Sequence, residues 1–159
     1  MNERRKLINW VAGVTTFIVA LLIVIVLLDT KQDGVSMAAA SRTVALTLES
    51  GNSILENAPE TSNFSEELSD QWYVKYMDYL YGQGYLDSSI VRADEKSATS
   101  AVTYAVLAGW AKKASEEGNG ETDALLSYTD AGDKAKKAVS SENFWKFYDA
   151  FRAAVDPDG

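Results

Sequence analysis

The longest apolar stretch of the chain lies near its N-terminus. Residues 7–28 read LINWVAGVTTFIVALLIVIVLL and contain no charged side chain. At a helical rise of ~1.5 Å per residue, this run would span about 33 Å, slightly more than the ~30 Å hydrocarbon core of a bilayer. The pattern therefore predicts one transmembrane helix over residues 7–28, with the lipid bilayer as its partner.

The charges before this stretch predict its orientation. Residues 4–6 read Arg-Arg-Lys. Because basic flanks favour the cytoplasmic side, we expect residues 1–6 in the cytoplasm and 29–159 outside it, in a single-pass protein of the cell membrane. The alternative is a cleaved signal peptide, which has an apolar core of ~7–15 residues and a small-residue cleavage site close behind. The run here is longer, and the alanines at 38–40 lie well beyond it, which favours an uncleaved signal-anchor.

Beyond the apolar stretch, apolar residues recur at helical spacing between polar clusters. Residues 29–35 are typical of a short linker, and 156–159 of a C-terminal turn. No period-two alternation of any length is present, so the predicted fold class is all-α. It consists of one N-terminal transmembrane helix and a bundle of short helices over 36–155. The predicted helices run over 37–50, 71–81, 98–115 and 141–155, with a weaker one near 122–128.

Each main helix has one apolar face that should enter the core. Ser36, Ser97 and Ser140 or Ser141 are suitable N-caps. The predicted core faces contain Met37, Ala40, Val44 and Leu48; Trp72, Tyr76, Tyr79 and Leu80; Val102, Ala105, Val106 and Gly109; and Phe144, Trp145, Tyr148, Phe151 and Val155.

The charge of the chain excludes one class of partner. The net charge is −8, with 15 basic and 23 acidic residues. Three of the basic residues and one acidic residue precede the apolar run, so the remainder carries a net charge of −10. A surface this acidic repels nucleic acid, and we expect no nucleic-acid binding.

The residue types that carry most enzyme chemistry are missing. The sequence contains no cysteine and no histidine, which removes the usual zinc, iron–sulfur and haem ligands, the Ser-His-Asp triad and the Cys-His dyad. Its paired carboxylates, at 66–67, 94–95 and 116–117, are adjacent residues in predicted loops and not the facing pair that a glycosidase needs. We therefore predict no catalytic, metal-binding or cofactor-binding residue and no enzymatic activity.

The aromatic residues between positions 72 and 85 are the best candidates for a binding surface. Sugar rings stack on exposed aromatic side chains, and one helix cannot bury all of its faces. Packing in the core is the competing interpretation for these residues, and Tyr73 and Tyr81 are the two that we expect to be exposed. The candidate contacts with a ligand or partner are Trp72, Tyr73, Tyr81 and Tyr85.

Two segments resemble an S-layer homology module. They read SDQWYVKYMDYLYGQGYLDSS and SATSAVTYAVLAGWAKKA. Such modules place a Trp at a helix start, here Trp72, then a Gly-aliphatic turn, here 84–86, then a helix opened by a Thr-Arg-Ala-Glu-like motif, here 98–101. Residues 33–39 resemble the same helix opening. The resemblance implies an all-α module that faces the cell wall.

Members of that family bind an anionic secondary cell-wall polymer, chiefly through the Arg and Glu of the motif. The corresponding positions here read Ser100 and Val102, and Met37 and Ala39. Without a guanidinium fork, bidentate capture of a carboxylate or phosphate is lost. The resemblance therefore implies the fold of the family without its ligand.

A second resemblance concerns residues 72–80, WYVKYMDYL. They are similar to the N-terminal region of membrane-anchored, stage II sporulation protein D type proteins of Gram-positive, Clostridia-like bacteria. In those proteins a catalytic domain that acts on peptidoglycan follows such a segment.

Two functions are compatible with these features. The first is a non-catalytic, membrane-anchored module of the cell envelope that binds or positions cell-wall material or a partner protein. The alternative is the anchoring N-terminal fragment of a peptidoglycan-acting enzyme whose catalytic domain is not in this chain.

Overall fold

The computed structural model describes residues 3–6, 8–16 and 34–158. The chain divides into two compact units, Met1–Asp33 and Gly34–Gly159. The second unit contains all the features discussed below as candidate sites.

The first unit corrects the predicted transmembrane helix. Residues 3–6 and 8–16 are helical, but no helix in the described parts of the chain is long and apolar enough to cross a membrane. Residues 7 and 17–28 of the predicted span lie outside the described residues. The prediction of a membrane-spanning helix is therefore wrong for this structure.

The second unit confirms the all-α prediction. It has isolated bridges but no β-strand within residues 34–158. Two 3₁₀ helices, Glu66–Leu68 and Gly132–Lys134, lie in its connections. Its α-helices are α1 (Met37–Leu48), α2 (Gly51–Glu56), α3 (Val74–Gly82), α4 (Glu95–Thr99), α5 (Tyr104–Glu117), α6 (Asp123–Leu126) and α7 (Ser141–Val155).

Three short extended segments pair with one another in a closed ring. Antiparallel bridges join residue 34 to 140, residue 36 to 101 and residue 103 to 138. Each segment leads directly into a long helix, α1, α5 or α7, and each ends on an extended Ser or Thr N-cap. A Val precedes every one of these caps, so the ring is a threefold internal repeat of the pattern Val-(Ser/Thr)-helix.

The ring requires close approach of its backbones. A Cβ placed on Gly34 would lie 2.8 Å from the Cβ of Ala101 and 3.2 Å from the carbonyl oxygen of Val139. Both distances are shorter than normal contacts, so a side chain at position 34 would push the segments apart. The ring therefore depends on glycine at this position.

The ring also explains why the predicted helix over 98–115 is two helices. Asp94, not Ser97, caps α4, and its carboxylate accepts a hydrogen bond from the Ser97 N–H at 2.7 Å. The chain is extended at Ser100 and Thr103, because residues 100–103 hydrogen-bond to the other two ring segments. The long helix begins at Tyr104, after its N-cap Thr103, and not at the helix opening that was assigned to residues 98–101.

The core is built where α5, α6 and α7 pack together and where α1 packs on α3. Its largest fully buried side chains include Trp110, Phe144, Phe147 and Phe151. Phe147 is absent from the predicted core face of its helix. Three residues that were predicted to be in the core are exposed instead: Trp72, Gly109 and Trp145.

Candidate functional site: a tryptophan groove

A groove of about 430 Å³ lies between α1, the turn that leads into α3, and α7. We name it the tryptophan groove. It presents an aromatic ring from each side, hydroxyl groups along one wall and one cationic side chain. Its lining residues are Ala39, Arg42, Thr43, Leu46, Thr47, Trp72 and Tyr148.

Trp72 forms one side of the groove and is 50% exposed. Its ring meets the rings of Tyr73 and Tyr76 edge-on, with centroid distances of 5.8 and 6.5 Å. These two neighbours support one part of the indole and leave the rest open to solvent. Trp72 therefore presents an exposed aromatic surface, and contacts with two neighbouring rings hold its side chain in place.

Arg42 supplies the cation. Its guanidinium carbon lies 5.9 Å from the centroid of the Tyr76 ring, within the range of a cation–π contact. Within the described residues no carboxylate pairs with it. The guanidinium is thus held by a ring face, and its N–H groups can donate to a ligand.

The opposite wall contains a hydrogen bond within α1 and one between α1 and α7. The Thr47 hydroxyl donates to the carbonyl oxygen of Thr43 at 2.8 Å. Because that proton is engaged, the Tyr148 hydroxyl is the donor in its 2.8 Å bond to the Thr47 oxygen. Trp145, which is 46% exposed, meets the Tyr148 ring edge-on at 5.5 Å. A second indole therefore lies beside this wall.

The structure separates the four aromatic residues that were predicted as contacts. Trp72 lines the tryptophan groove, but Tyr73 is only 4% exposed and packs against Phe64. Tyr81 is half-buried, and its hydroxyl donates to the carbonyl oxygen of Val91 at 2.6 Å. The expectation that Tyr73 and Tyr81 are exposed is therefore wrong.

Tyr85 is buried against Phe151, with ring centroids 6.2 Å apart. Burial raises the pKa of Tyr85 to about 12, and the nearby Glu117 adds to the shift. Burial also raises the pKa of Tyr81 to about 12, with Asp78 the next cause. Both phenols are therefore neutral at physiological pH and act as parts of the packing.

Sequence reasoning missed Arg42, Thr47 and Tyr148 as lining residues, and Trp145 as the indole that meets Tyr148. The helical periodicity of α7 does indicate the positions of Tyr148 and Trp145. Phe144, Phe147 and Phe151 are spaced three and four residues apart and define the buried face. Trp145 and Tyr148 lie one position further round the helix and so face away from the centre of the core. No comparable local signal identifies Arg42.

A buried carboxylate near this site has a structural role. Asp78 on α3 accepts hydrogen bonds from the Ser62 hydroxyl at 2.5 Å and from the Asn63 backbone N–H at 2.9 Å. The Asn63 side-chain amide donates to it as well, at 3.2 Å. These bonds anchor the loop before α3, which carries Phe64. In the described residues, no group of acidic side chains is arranged to hold a metal ion.

Comparisons with protein-family models, with curated proteins and with solved structures found no match to this chain. A functional argument therefore depends on the geometry described above.

Proposed function

We propose that the helical unit is a non-catalytic module of the cell envelope that binds cell-wall glycan in the tryptophan groove. The observation that carries the proposal is the half-exposed, braced ring of Trp72 beside the Arg42 guanidinium. An exposed indole offers an apolar face for the C–H face of a sugar, and a guanidinium and hydroxyls offer hydrogen bonds to its polar edge.

The size and the charge of the groove support this ligand class. A volume of 430 Å³ lies in the lower part of the ~300–1,000 Å³ range typical of ligand sites. Arg42 is the one charged residue among the lining side chains, in a part of the chain that is otherwise strongly acidic. The groove thus provides a local positive charge for sugar hydroxyl or carboxylate oxygens.

The lining also supports binding without catalysis. Hydrolysis of a glycosidic bond needs two carboxyl groups about 5–10 Å apart across the sugar. The side chains that line the tryptophan groove include no Asp or Glu. A glycan held there would meet no acid or base of the described residues that could cleave it.

The location outside the cytoplasm and the resemblance to S-layer homology modules are parts of the same proposal. The Arg-Arg-Lys cluster at residues 4–6, followed by an apolar run, is typical of exported chains. Because α5 begins after Thr103, the Arg and Glu positions of the family motif would correspond to Tyr104 and Val106. Neither residue is the Arg or Glu of the family. The module would therefore contact the wall through Trp72 and not through the polymer site of the family.

The test is cosedimentation of the full-length protein with purified peptidoglycan sacculi. We expect wild type to sediment with the sacculi and Trp72→Ala to lose at least tenfold in affinity, with Arg42→Gln weakened to a smaller extent. Leu126→Ala is the control, since Leu126 is an exposed apolar residue that does not line this groove. Absence of wild-type sedimentation, or equal binding by Trp72→Ala, would contradict the proposal.

A further inference from the structure

A second groove, of about 340 Å³, lies where the connector between α3 and α5 meets the start of α1. We name it the connector groove. Its floor is formed by Met37, Val91 and Val106, and Ile90 stands at its rim, 53% exposed. No aromatic side chain lines it. It therefore differs in chemistry from the tryptophan groove, which has an indole and a phenol ring.

Two cations border the connector groove. Arg92 and Lys96 both line it and are both exposed. Within residues 3–6, 8–16 and 34–158, neither forms an ion pair. The groove is therefore a positive site on a strongly acidic chain.

Asp94 is the one acidic residue in the lining, and its carboxylate already has a partner. It accepts the Ser97 N–H as the N-cap of α4, and this hydrogen bond holds the pKa of Asp94 below its ordinary value. Asp94 therefore stays charged and leaves the groove with a net charge of +1.

The groove also offers a hydroxyl group. Thr103 occupies the N-cap position of α5, but its side chain accepts no capping hydrogen bond, unlike Ser36 and Ser140 at the equivalent positions of the ring. Its oxygen can therefore bond to a ligand that enters the groove. An aliphatic floor, two cations and a hydroxyl together match a peptide better than a sugar, because sugars favour aromatic platforms.

We propose that the connector groove docks an acidic segment of a partner protein. An aliphatic side chain of the segment packs on Met37, Val91 and Val106, and the flanking carboxylates pair with Arg92 and Lys96. Such pairs at an exposed rim fix the register of the bound segment, and they weaken as salt rises.

The test uses the full-length protein and three labelled peptides in fluorescence anisotropy. The first is acetyl-Glu-Leu-Glu-Leu-Glu-amide, the second replaces each Glu by Gln, and the third replaces each Leu by Ser. We expect the first to bind at low salt, with the other two at least fivefold weaker, and its binding to fall as salt is raised. Equal binding of all three peptides, or of none, would overturn the proposal.

The variants locate the site. We expect Arg92→Gln combined with Lys96→Gln to weaken the first peptide at least tenfold, and Ile90→Ser, at an exposed position, to weaken it to a smaller extent. The control is Lys136→Gln with Lys137→Gln, which removes the same charge from exposed residues elsewhere. Trp72→Ala should leave peptide binding unchanged. Equal loss in the control pair, or displacement of the peptide by tetra-N-acetylchitotetraose, would overturn the assignment.

Discussion

Trp110 and Trp72 occupy two aromatic regions of the same domain that differ in exposure and in support. Trp110 is fully buried and stacks on Phe147 at 6.3 Å, inside a set of rings that α5 and α7 enclose. Trp72 lies in a turn, is braced edge-on by two tyrosines, and keeps half of its surface open. The same residue type contributes stability in one place and a candidate contact surface in the other. Burial and support from neighbours, not composition, separate the two roles.

The largest effect should come from deleting the centre of the buried region. Phe147 is fully buried, and its ring contacts those of Trp110, Tyr128 and Phe151. Phe147→Ala should lower the free energy of unfolding by about 3–5 kcal/mol, because it removes apolar burial and leaves a cavity. Urea unfolding followed by circular dichroism measures this difference.

Trp145→Ala on the same helix is the control for Phe147→Ala. Its ring is 46% exposed, so truncation should cost about 1 kcal/mol or less. Equal losses for the two variants would contradict the division between a buried face and a groove face of α7.

Helix α7 and the break at Ser100 show how much of the fold could be predicted from the sequence. The helix that became α7 was predicted with its Ser140 or Ser141 cap, and Ser140 does accept the Asn143 N–H at 3.2 Å. Helical spacing and caps are local, so a single sequence carries them. The break at Ser100 could not be predicted in this way, because it depends on bridges from residues 100–103 to segments more than 30 residues away in the chain.

The candidate site was harder to predict than the fold. Of two adjacent candidate residues, Trp72 is half-exposed, whereas Tyr73 is buried against Phe64. The loop that carries Phe64 is held by Asp78, fifteen residues away from Asn63. Arg42 reaches the groove because α1 packs on α3. The burial of Tyr73 and the position of Arg42 both depend on tertiary contacts, which helical periodicity does not encode.

A smaller effect should appear at high pH and should depend on Tyr81, which is half-buried, and Tyr85, which is buried. The pKa of Tyr81 and of Tyr85 is raised to about 12 in the folded chain, against ~10 when unfolded. The unfolded state therefore ionises first. The stability that the two neutral phenols contribute is complete below pH ~10 and is lost as the pH rises toward 12.

Urea unfolding between pH 9 and 12 would measure this loss. Tyr85→Phe should make the decline shallower, because one of the phenols with a raised pKa is gone. Absorbance at alkaline pH should show that the phenols with a raised pKa, which are Tyr73, Tyr79, Tyr81 and Tyr85, ionise later than an unperturbed tyrosine. A decline of equal slope in the variant would show that Tyr85 has no part in it.

The smallest effect concerns the indole N–H of Trp110, which is buried and has no hydrogen-bond partner among the residues that the structure describes. An unpaired buried donor costs ~1–3 kcal/mol, whereas Trp→Phe loses apolar contact and leaves a small cavity of similar cost. The two terms oppose each other, so Trp110→Phe should change the free energy of unfolding by no more than about 1 kcal/mol. A loss above ~3 kcal/mol in urea unfolding would mean that the N–H is satisfied in solution, for example by a buried water.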